Sequence, residues 1–223
     1  GADASPPWQY SPGVSWDVLQ ERPLDVASEV FVHKTTLNFV DHCWEVWAPL
    51  MRGCLLVILA EEYTTEPQSF LEILGACRVS RITVVPSLLR TFLLAFPDLD
   101  ARLPLLQHWT VSGEALPQDL AQDFLVACPG HVLINLYGST EVAGDVTCWA
   151  SDTIEVADAA RQGWVMIGRP IAHCGVEVVD ENLMPVPQGE LGELAITGAN
   201  NAAGEFGIDA GRSMACTPRT PDA

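Results

Sequence analysis

One run of residues, NLYGSTE at positions 135–141, combines three groups that could bind a nucleotide, and it directly follows an apolar segment, residues 132–136. The ring of Tyr137 can stack on a base, and the hydroxyl of Thr140 can hydrogen-bond a phosphate oxygen. The carboxylate of Glu141 can hold the magnesium ion that phosphates bring. Ligands of parallel sheets lie beyond the carboxyl ends of the strands, so the run predicts a nucleotide site. Taken alone, it fits an ordinary strand-to-loop turn equally well.

The elements that must position this run are indicated by short apolar segments alternating with segments of helical spacing. The predicted helices are residues 44–50, 66–76, 86–95 and 117–127, and the predicted strands are residues 54–59, 82–85, 106–111 and 132–136. Such alternation favours an α/β fold, a parallel sheet covered by helices. After residue 163 the apolar runs shorten and turn residues separate them, which indicates a β-rich subdomain.

Four stretches follow from these patterns. We expect a leader or loop at residues 1–29, where four prolines occur, and the α/β part of one domain at residues 30–162. The β-rich part of the same domain is expected at residues 163–203. Residues 204–223 mix Gly, Arg, Pro and Thr without a period, which is typical of a disordered tail.

Charge and cysteine content narrow the classes of function. The 29 acidic and 11 basic residues give a net charge of −18, which argues against nucleic acid and anionic membranes as partners. The seven cysteines form no CxxC pair, so neither a zinc site nor a disulfide framework is indicated. The apolar run at residues 55–60 is far shorter than a membrane span. We therefore expect a cytoplasmic protein.

Five segments resemble, in the family's order, motifs of the adenylate-forming enzymes, the superfamily of acyl-CoA synthetases, luciferases and nonribosomal peptide synthetase adenylation domains. Together they span residues 30–204, which chance similarity does not explain. The segments are residues 34–45, similar to K(T/A)xxxFDxSVWE; residues 112–116, similar to GGEAL; residues 135–141, similar to NxYGxTE; residues 167–171, similar to IGRPI; and residues 189–198, similar to GxxGELxIxG.

This resemblance implies ATP and magnesium as cofactors, with Thr140 and Glu141 as catalytic residues and Glu141 as the magnesium ligand. Glu45 and Gly168 are interpreted as structural residues, and His42, where the family usually has serine, is assigned no role. The residues implied to bind the nucleotide are Gly113, Glu114, Ala115, Asn135, Tyr137 and Gly138.

The family places an aspartate against the α-ammonium group of its substrate, but Val40 occupies that position here and Asp41 follows it. The residues that match the family's substrate pocket are Val40, Asp41, Trp44, Thr83, Thr110, Ser112, Leu136, Gly144 and Asp145. This lining resembles that of Ebony-like enzymes that activate β-alanine. A β-amine lies one methylene farther from the carboxylate, so the displaced acids Asp41 and Asp145 could meet it.

The 223 residues contain no run similar to the family's phosphate loop, its C-terminal lysine or a carrier domain with a serine for phosphopantetheine. The resemblance therefore implies an internal fragment that is inactive alone, derived from an enzyme that activates a small amino acid and passes it to a carrier domain. Two alternatives stay open: a non-catalytic nucleotide-binding or interaction module, and a fragment of an acyl-CoA synthetase. A serine hydrolase is disfavoured because no GxSxG occurs.

Overall fold

The computed structural model describes residues 28–139, 141–142, 144–198 and 201. Its main sheet has seven strands in the order β2-β1-β3-β4-β5-β6-β9. These strands are β1 (Val30–His33), β2 (Leu55–Ile58), β3 (Arg81–Val84), β4 (His108–Val111), β5 (Val132–Ser139), β6 (Gly144–Ala150) and β9 (Arg169–Pro170). The first five are parallel, and β6 and β9 run antiparallel to their neighbours.

Helices connect the parallel strands, as such a sheet requires. The helices are α1 (Asp41–Arg52), α2 (Pro67–Ala76), α3 (Pro86–Ala95), α4 (Leu99–Arg102), α5 (Gln118–Ala127) and α6 (Val156–Ala159), with a 3-10 turn at Glu61–Tyr63. Two small antiparallel pairs follow, β7 (Ala160–Arg161) with β8 (Trp164–Val165) and β10 (Cys174–Val179) with β11 (Glu193–Gly198). Prolines at the first positions of α2 and α3 suit the helix start because an N–H there would have no partner.

The predicted α/β fold with a later β-rich region is confirmed. Four strands were not predicted, β1, β6, β7 and β8, and α1 begins three residues before the predicted start at residue 44. Strand β6 mixes polar with apolar residues, so it lacks the apolar run from which other strands were predicted, and β7 and β8 have only two residues each. The predicted leader falls almost wholly, and the predicted tail wholly, outside the described residues.

The core lies on one face of the sheet, where the helices α2, α3 and α5 pack. At its centre Trp109 of β4 is fully buried, with its ring edge-on to Phe92 of α3 at 6.2 Å and to Phe124 of α5 at 5.6 Å between ring centroids. Burial of aromatic side chains of this size contributes on the order of 2–3 kcal/mol each. Packing on this face holds β3, β4 and β5 in place, the strands at whose carboxyl ends the predicted site residues lie.

The opposite face is covered by α1 at one side, where Ala48 packs with Phe31 of β1. The flanking strand β2 and the outer side of α1 expose large apolar side chains, including Leu55 at 67%, Ile58 at 71% and Trp47 at 54%. Among the described residues, no helix is long and apolar enough to cross a membrane.

Candidate active site at the carboxyl edge of the sheet

Three of the predicted pocket residues lie on the sheet face that α1 covers. Thr83 of β3 pairs with Thr110 of β4, and both share the face of Phe31, because Phe31 pairs with the residue two positions before Thr83. Leu136 of β5 extends this face, since β5 pairs with β4 in register. Thr83 is 4% exposed, and its hydroxyl has no hydrogen-bond partner among the described residues. A small polar floor therefore lies beneath α1.

Asp145 is held at the rim of this floor. It lies in β6 opposite Gly138, is 4% exposed, and accepts a hydrogen bond of 3.3 Å from the hydroxyl of Ser112, which follows β4. Burial raises the pKa of Asp145 to about 7, with a further upward contribution from the charge of Asp41, while the hydrogen bond from Ser112 opposes both. The charge of Asp41 thus reaches Asp145 although the two residues lie in segments that are distant in sequence.

Asp41 begins α1 and faces the same space. Trp44, one helical turn later, donates its indole N–H to the Asp41 carboxylate over 3.2 Å. Burial raises the pKa of Asp41; the Trp44 hydrogen bond opposes this shift, and the charge of Glu45 adds to it. Two carboxylates whose ionised forms are both disfavoured by their surroundings are suited to a cationic ligand. Val40, the helix N-cap, is instead 42% exposed.

The loop at residues 112–116 follows β4 and lies beside the carboxyl end of β5. Gly113, Glu114 and Ala115 are exposed, and Gly113 has a φ of 85°, a conformation that glycine adopts readily. The Glu114 carboxylate accepts hydrogen bonds from the backbone N–H of Ser87 at 3.0 Å and from its hydroxyl at 2.9 Å. The side chain of Glu114 is thus engaged with α3, which leaves the backbone of the loop to meet a ligand.

Two of the predicted nucleotide residues, Asn135 and Tyr137, lie two positions apart in β5 and therefore on the same face of the strand. Asn135 is 4% exposed and donates its amide N–H to the backbone carbonyl of Met166 over 3.2 Å. Tyr137 is half-buried and packs in a cluster with Val142, Val146 and Ile196, and its hydroxyl has no hydrogen-bond partner among the described residues. A buried hydroxyl without a partner is a candidate for a ligand contact.

The turn between β5 and β6 is tight. A Cβ atom at Gly138 would lie 2.1 Å from the carbonyl oxygen of Gly144, so only glycine fits where the two strands approach. Glu141 lies in this turn and is half-buried. Thr140, its predicted catalytic partner, lies outside the described residues.

Residues 12–204 match the family described as AMP-binding enzyme. The chain belongs to the AMP-binding enzyme family. It is 36% identical over 189 residues to the beta-alanyl-bioamine nonribosomal peptide synthetase ebony of Drosophila melanogaster, a match that covers 82% of this chain and 21% of that protein. It is 33% identical over 183 residues to enterobactin synthase component F of Escherichia coli strain K12, over 80% of this chain and 14% of that protein.

Solved structures, among them that of the nonribosomal peptide synthetase FmoA3, have the same fold as this AMP-binding chain. The AMPPNP-bound form of FmoA3 superposes with a TM-score of 0.74 at 25% identity, over 87% of this chain and 21% of that one. IdnL7 superposes with a TM-score of 0.70 at 28% identity, over 87% of this chain and 38% of that one. The chain is thus part of an adenylation domain of the nonribosomal peptide synthetase type. The matched region spans 21% of the length of the ebony protein and 14% of that of enterobactin synthase component F.

The described residues fit an adenine nucleotide and its metal ion. The exposed loop around Gly113 and the unpartnered Tyr137 hydroxyl lie at the ends of neighbouring strands, where nucleotides bind in such sheets. Glu141 is the acidic residue in the described part of the turn, and magnesium carried by phosphates needs only one or two protein carboxylates. No cluster of three metal-binding side chains occurs among the described residues.

Three further residues of this AMP-binding chain make contacts around the candidate site. Two of them, Ser87 and Met166, were not predicted from the sequence. Ser87 and Met166 form hydrogen bonds with Glu114 and Asn135, two residues predicted to bind the nucleotide, and no sequence pattern reveals these long-range pairs. Glu45, interpreted as structural, is confirmed as such: it is 1% exposed and accepts hydrogen bonds from the backbone N–H groups of Lys34 and Thr35 at 3.1 and 3.0 Å. Glu45 therefore joins the backbone that follows β1 to α1.

Proposed function

We propose that this chain forms the amino-acid pocket and the adenine site of an adenylation domain that activates β-alanine with ATP. The observation that carries the proposal is a pair of carboxylates, the buried Asp145 and the half-buried Asp41, whose charges interact although they lie far apart in the sequence. Val40, where the resemblance places the anchor of an α-ammonium group, is apolar and exposed. The acidic charge of the pocket is thus displaced from the α-position to Asp41 and Asp145.

A β-ammonium group would offset the repulsion between the carboxylates of Asp41 and Asp145. Two carboxylates shielded from solvent repel each other when both are ionised, and a cation between them would replace that repulsion with two charge-assisted hydrogen bonds. The walls near them are Trp44 and Leu136, and the floor carries the hydroxyls of Thr83 and Thr110. A short, unbranched substrate suits these walls. An uncharged acyl chain would leave both acids buried without a cation, which disfavours the acyl-CoA synthetase alternative.

In the proposed reaction the carboxylate of β-alanine attacks the α-phosphorus of ATP in line, forming β-alanyl-AMP and releasing pyrophosphate. Asp41 and Asp145 orient the substrate by its amine, so its carboxylate points toward the carboxyl ends of β4 and β5. The backbone at residues 113–115 and the ring of Tyr137 hold the adenine. Thr140 and Glu141 are proposed at the phosphates, where magnesium would neutralise the developing negative charge. The product would then pass to the phosphopantetheine thiol of a carrier domain.

Binding of β-alanine to the chain, measured by isothermal titration calorimetry, tests the pocket directly. Propionate lacks the ammonium group and L-alanine carries it one carbon nearer the carboxylate, so both should bind at least about tenfold more weakly. Asp41→Asn should abolish the preference for β-alanine over propionate. Asp123→Asn, which neutralises an exposed acid on α5, should leave it unchanged.

Activity is tested by β-alanine-dependent exchange of pyrophosphate into ATP, with the chain placed within a complete adenylation domain. Exchange with β-alanine that Asp41→Asn removes would support the proposal. A preference of that protein for an α-amino acid or a fatty acid would show that the substrate assignment is wrong, while leaving the family membership intact.

A further inference from the structure

The Glu114 carboxylate bridges the nucleotide loop, residues 112–116, to the first turn of α3. One oxygen accepts the backbone N–H of Ser87 at 3.0 Å, and the other accepts the Ser87 hydroxyl at 2.9 Å. The residue before α3, Val85, has no side-chain cap, so Glu114 supplies from 27 positions away the capping group that a helix usually takes from its own N-cap. A carboxylate at this end also interacts favourably with the helix dipole.

The two ends of the nucleotide loop are fixed separately by backbone hydrogen bonds. The N–H of Ser112 donates to Val84 over 3.3 Å, and the carbonyl of Leu116 accepts from Val165 over 2.9 Å. Between these anchors, Gly113 and its two neighbours are exposed, and Gly113 adopts a φ of 85°. A glycine followed by exposed residues samples many conformations unless a side chain ties it down. Glu114 provides that tie.

We propose that Glu114 is a positioning residue for the adenine nucleotide: by capping α3 it holds the backbone of residues 113–115 in the conformation that the adenine meets. This inference rests on the proposed function, because it requires that the loop binds a nucleotide. Its physical basis is preorganisation. A loop that is ordered before binding loses less entropy when the ligand arrives, so removing the tie weakens binding without removing a direct contact.

The chain contains a matched control for the loss of a helix cap. Glu66 caps α2 in the same way, accepting the backbone N–H of Ser69 at 2.7 Å, and it too is exposed. Helix α2 begins outside the nucleotide loop. Glu66→Ala and Glu114→Ala therefore remove equivalent caps from equivalent helices, but only the second change frees the loop.

The experiment measures the affinity of the fluorescent nucleotide mant-ATP for the chain and the midpoint of thermal unfolding of each variant. Glu114→Ala should raise Kd about five- to tenfold through lost preorganisation, with the same signal at saturation. Glu66→Ala should leave Kd unchanged while shifting the midpoint as much as Glu114→Ala does. Ser87→Ala, combined with Glu114→Ala, should add little to the effect of Glu114→Ala alone, because both changes break the same bridge.

Each outcome decides something different. If mant-ATP binds the unchanged chain and Glu114→Ala has no more effect on Kd than Glu66→Ala, the capping carboxylate has no role in positioning and this inference is overturned alone. If the unchanged chain binds no mant-ATP, the proposed function fails and this inference fails with it. A normal Kd for Glu114→Gln, whose amide oxygen can still cap Ser87, would support the positioning role.

Discussion

Ser112 donates its hydroxyl to the Asp145 carboxylate over 3.3 Å, although 33 positions separate the two residues. Ser112 begins the nucleotide loop, and Asp145 is one of the two acids of the proposed amine site. The hydrogen bond therefore joins the part of the site that would hold ATP to the part that would hold the amino acid. Because Asp145 lies opposite Gly138 in the adjoining strand, the tight turn between β5 and β6 determines whether this contact can form.

The stability of the free chain should depend on pH through Asp145. Its pKa is raised from 3.8 to about 7 in the folded state, so the folded chain binds a proton that the unfolded chain has released. Stability from this group is therefore fully present below the ordinary value and is lost as pH rises toward about 7. Asp145→Asn stays neutral, and at pH 8 it should be more stable than the unchanged chain by on the order of a few kcal/mol.

Urea unfolding of both proteins between about pH 4 and pH 8 measures this difference, which should vanish at the acid end. Asp123→Asn, at an exposed position, serves as the control and should follow the unchanged chain throughout. A constant difference between Asp145→Asn and the unchanged chain at every pH would contradict the raised pKa.

Binding of β-alanine should have the opposite pH dependence. The ammonium group pairs with ionised carboxylates, and protonation of Asp145 removes one of them, so Kd should fall as pH rises from about 6 to about 8. Asp41, whose pKa burial also raises, contributes in the same direction. Asp145→Asn should flatten this dependence and raise Kd at pH 8 at least about tenfold through loss of a charge-assisted hydrogen bond. Calorimetric titrations at several pH values provide the measurement; an affinity that does not change with pH would argue against Asp145 as an amine ligand.

Glu45→Ala should destabilise the chain more than any surface change on α1. The side chain is 1% exposed, and its removal leaves the N–H groups of Lys34 and Thr35 without their acceptor. The expected loss in the free energy of unfolding is about 2–4 kcal/mol, measured by urea denaturation. Glu45→Gln keeps the shape and one acceptor and should lose less. Equal losses for both variants would mean that neither the retained shape nor the retained amide oxygen of glutamine supports the Lys34 and Thr35 N–H groups, which would contradict this account.

Gly168→Ala should be far more damaging than Gly189→Ala, although the two glycines have nearly the same backbone conformation, with φ of 88° and 93°. Both changes impose a left-handed strain of about 1–2 kcal/mol. At Gly168 the new Cβ would also lie 2.0 Å from the carbonyl oxygen of Cys148, whereas at Gly189 nothing lies within 4 Å. Thermal unfolding should show the difference, at least about 2 kcal/mol. Similar midpoints would mean that β6 and the Gly168 segment are not in close contact.

The five motifs predicted the family, and the alternation of apolar runs with helical segments predicted much of the fold. Apolar runs bounded by turn residues identified β3, β4 and β5 together with the three helices that cover the core, because burial against a sheet imposes that pattern. The strand β6 was missed, since GDVTCWA has polar residues on a strand that is nevertheless buried on both sides. The structural interpretation of Gly168 is supported by the close packing of its backbone, because a Cβ added there would lie 2.0 Å from the carbonyl oxygen of Cys148.

The sequence by itself determined which residue types were available and in what order: the motifs, the alternation of strands and helices, and the displacement of an acid from position 40 to Asp41. Only the tertiary structure decided that the charge of Asp41 acts on Asp145, and that Glu114 caps a helix 27 positions away. Spacing along a chain specifies contacts within one helix or strand. Contacts between elements depend on the strand order and on the approach of backbones at glycines such as Gly138, which only the folded chain reveals.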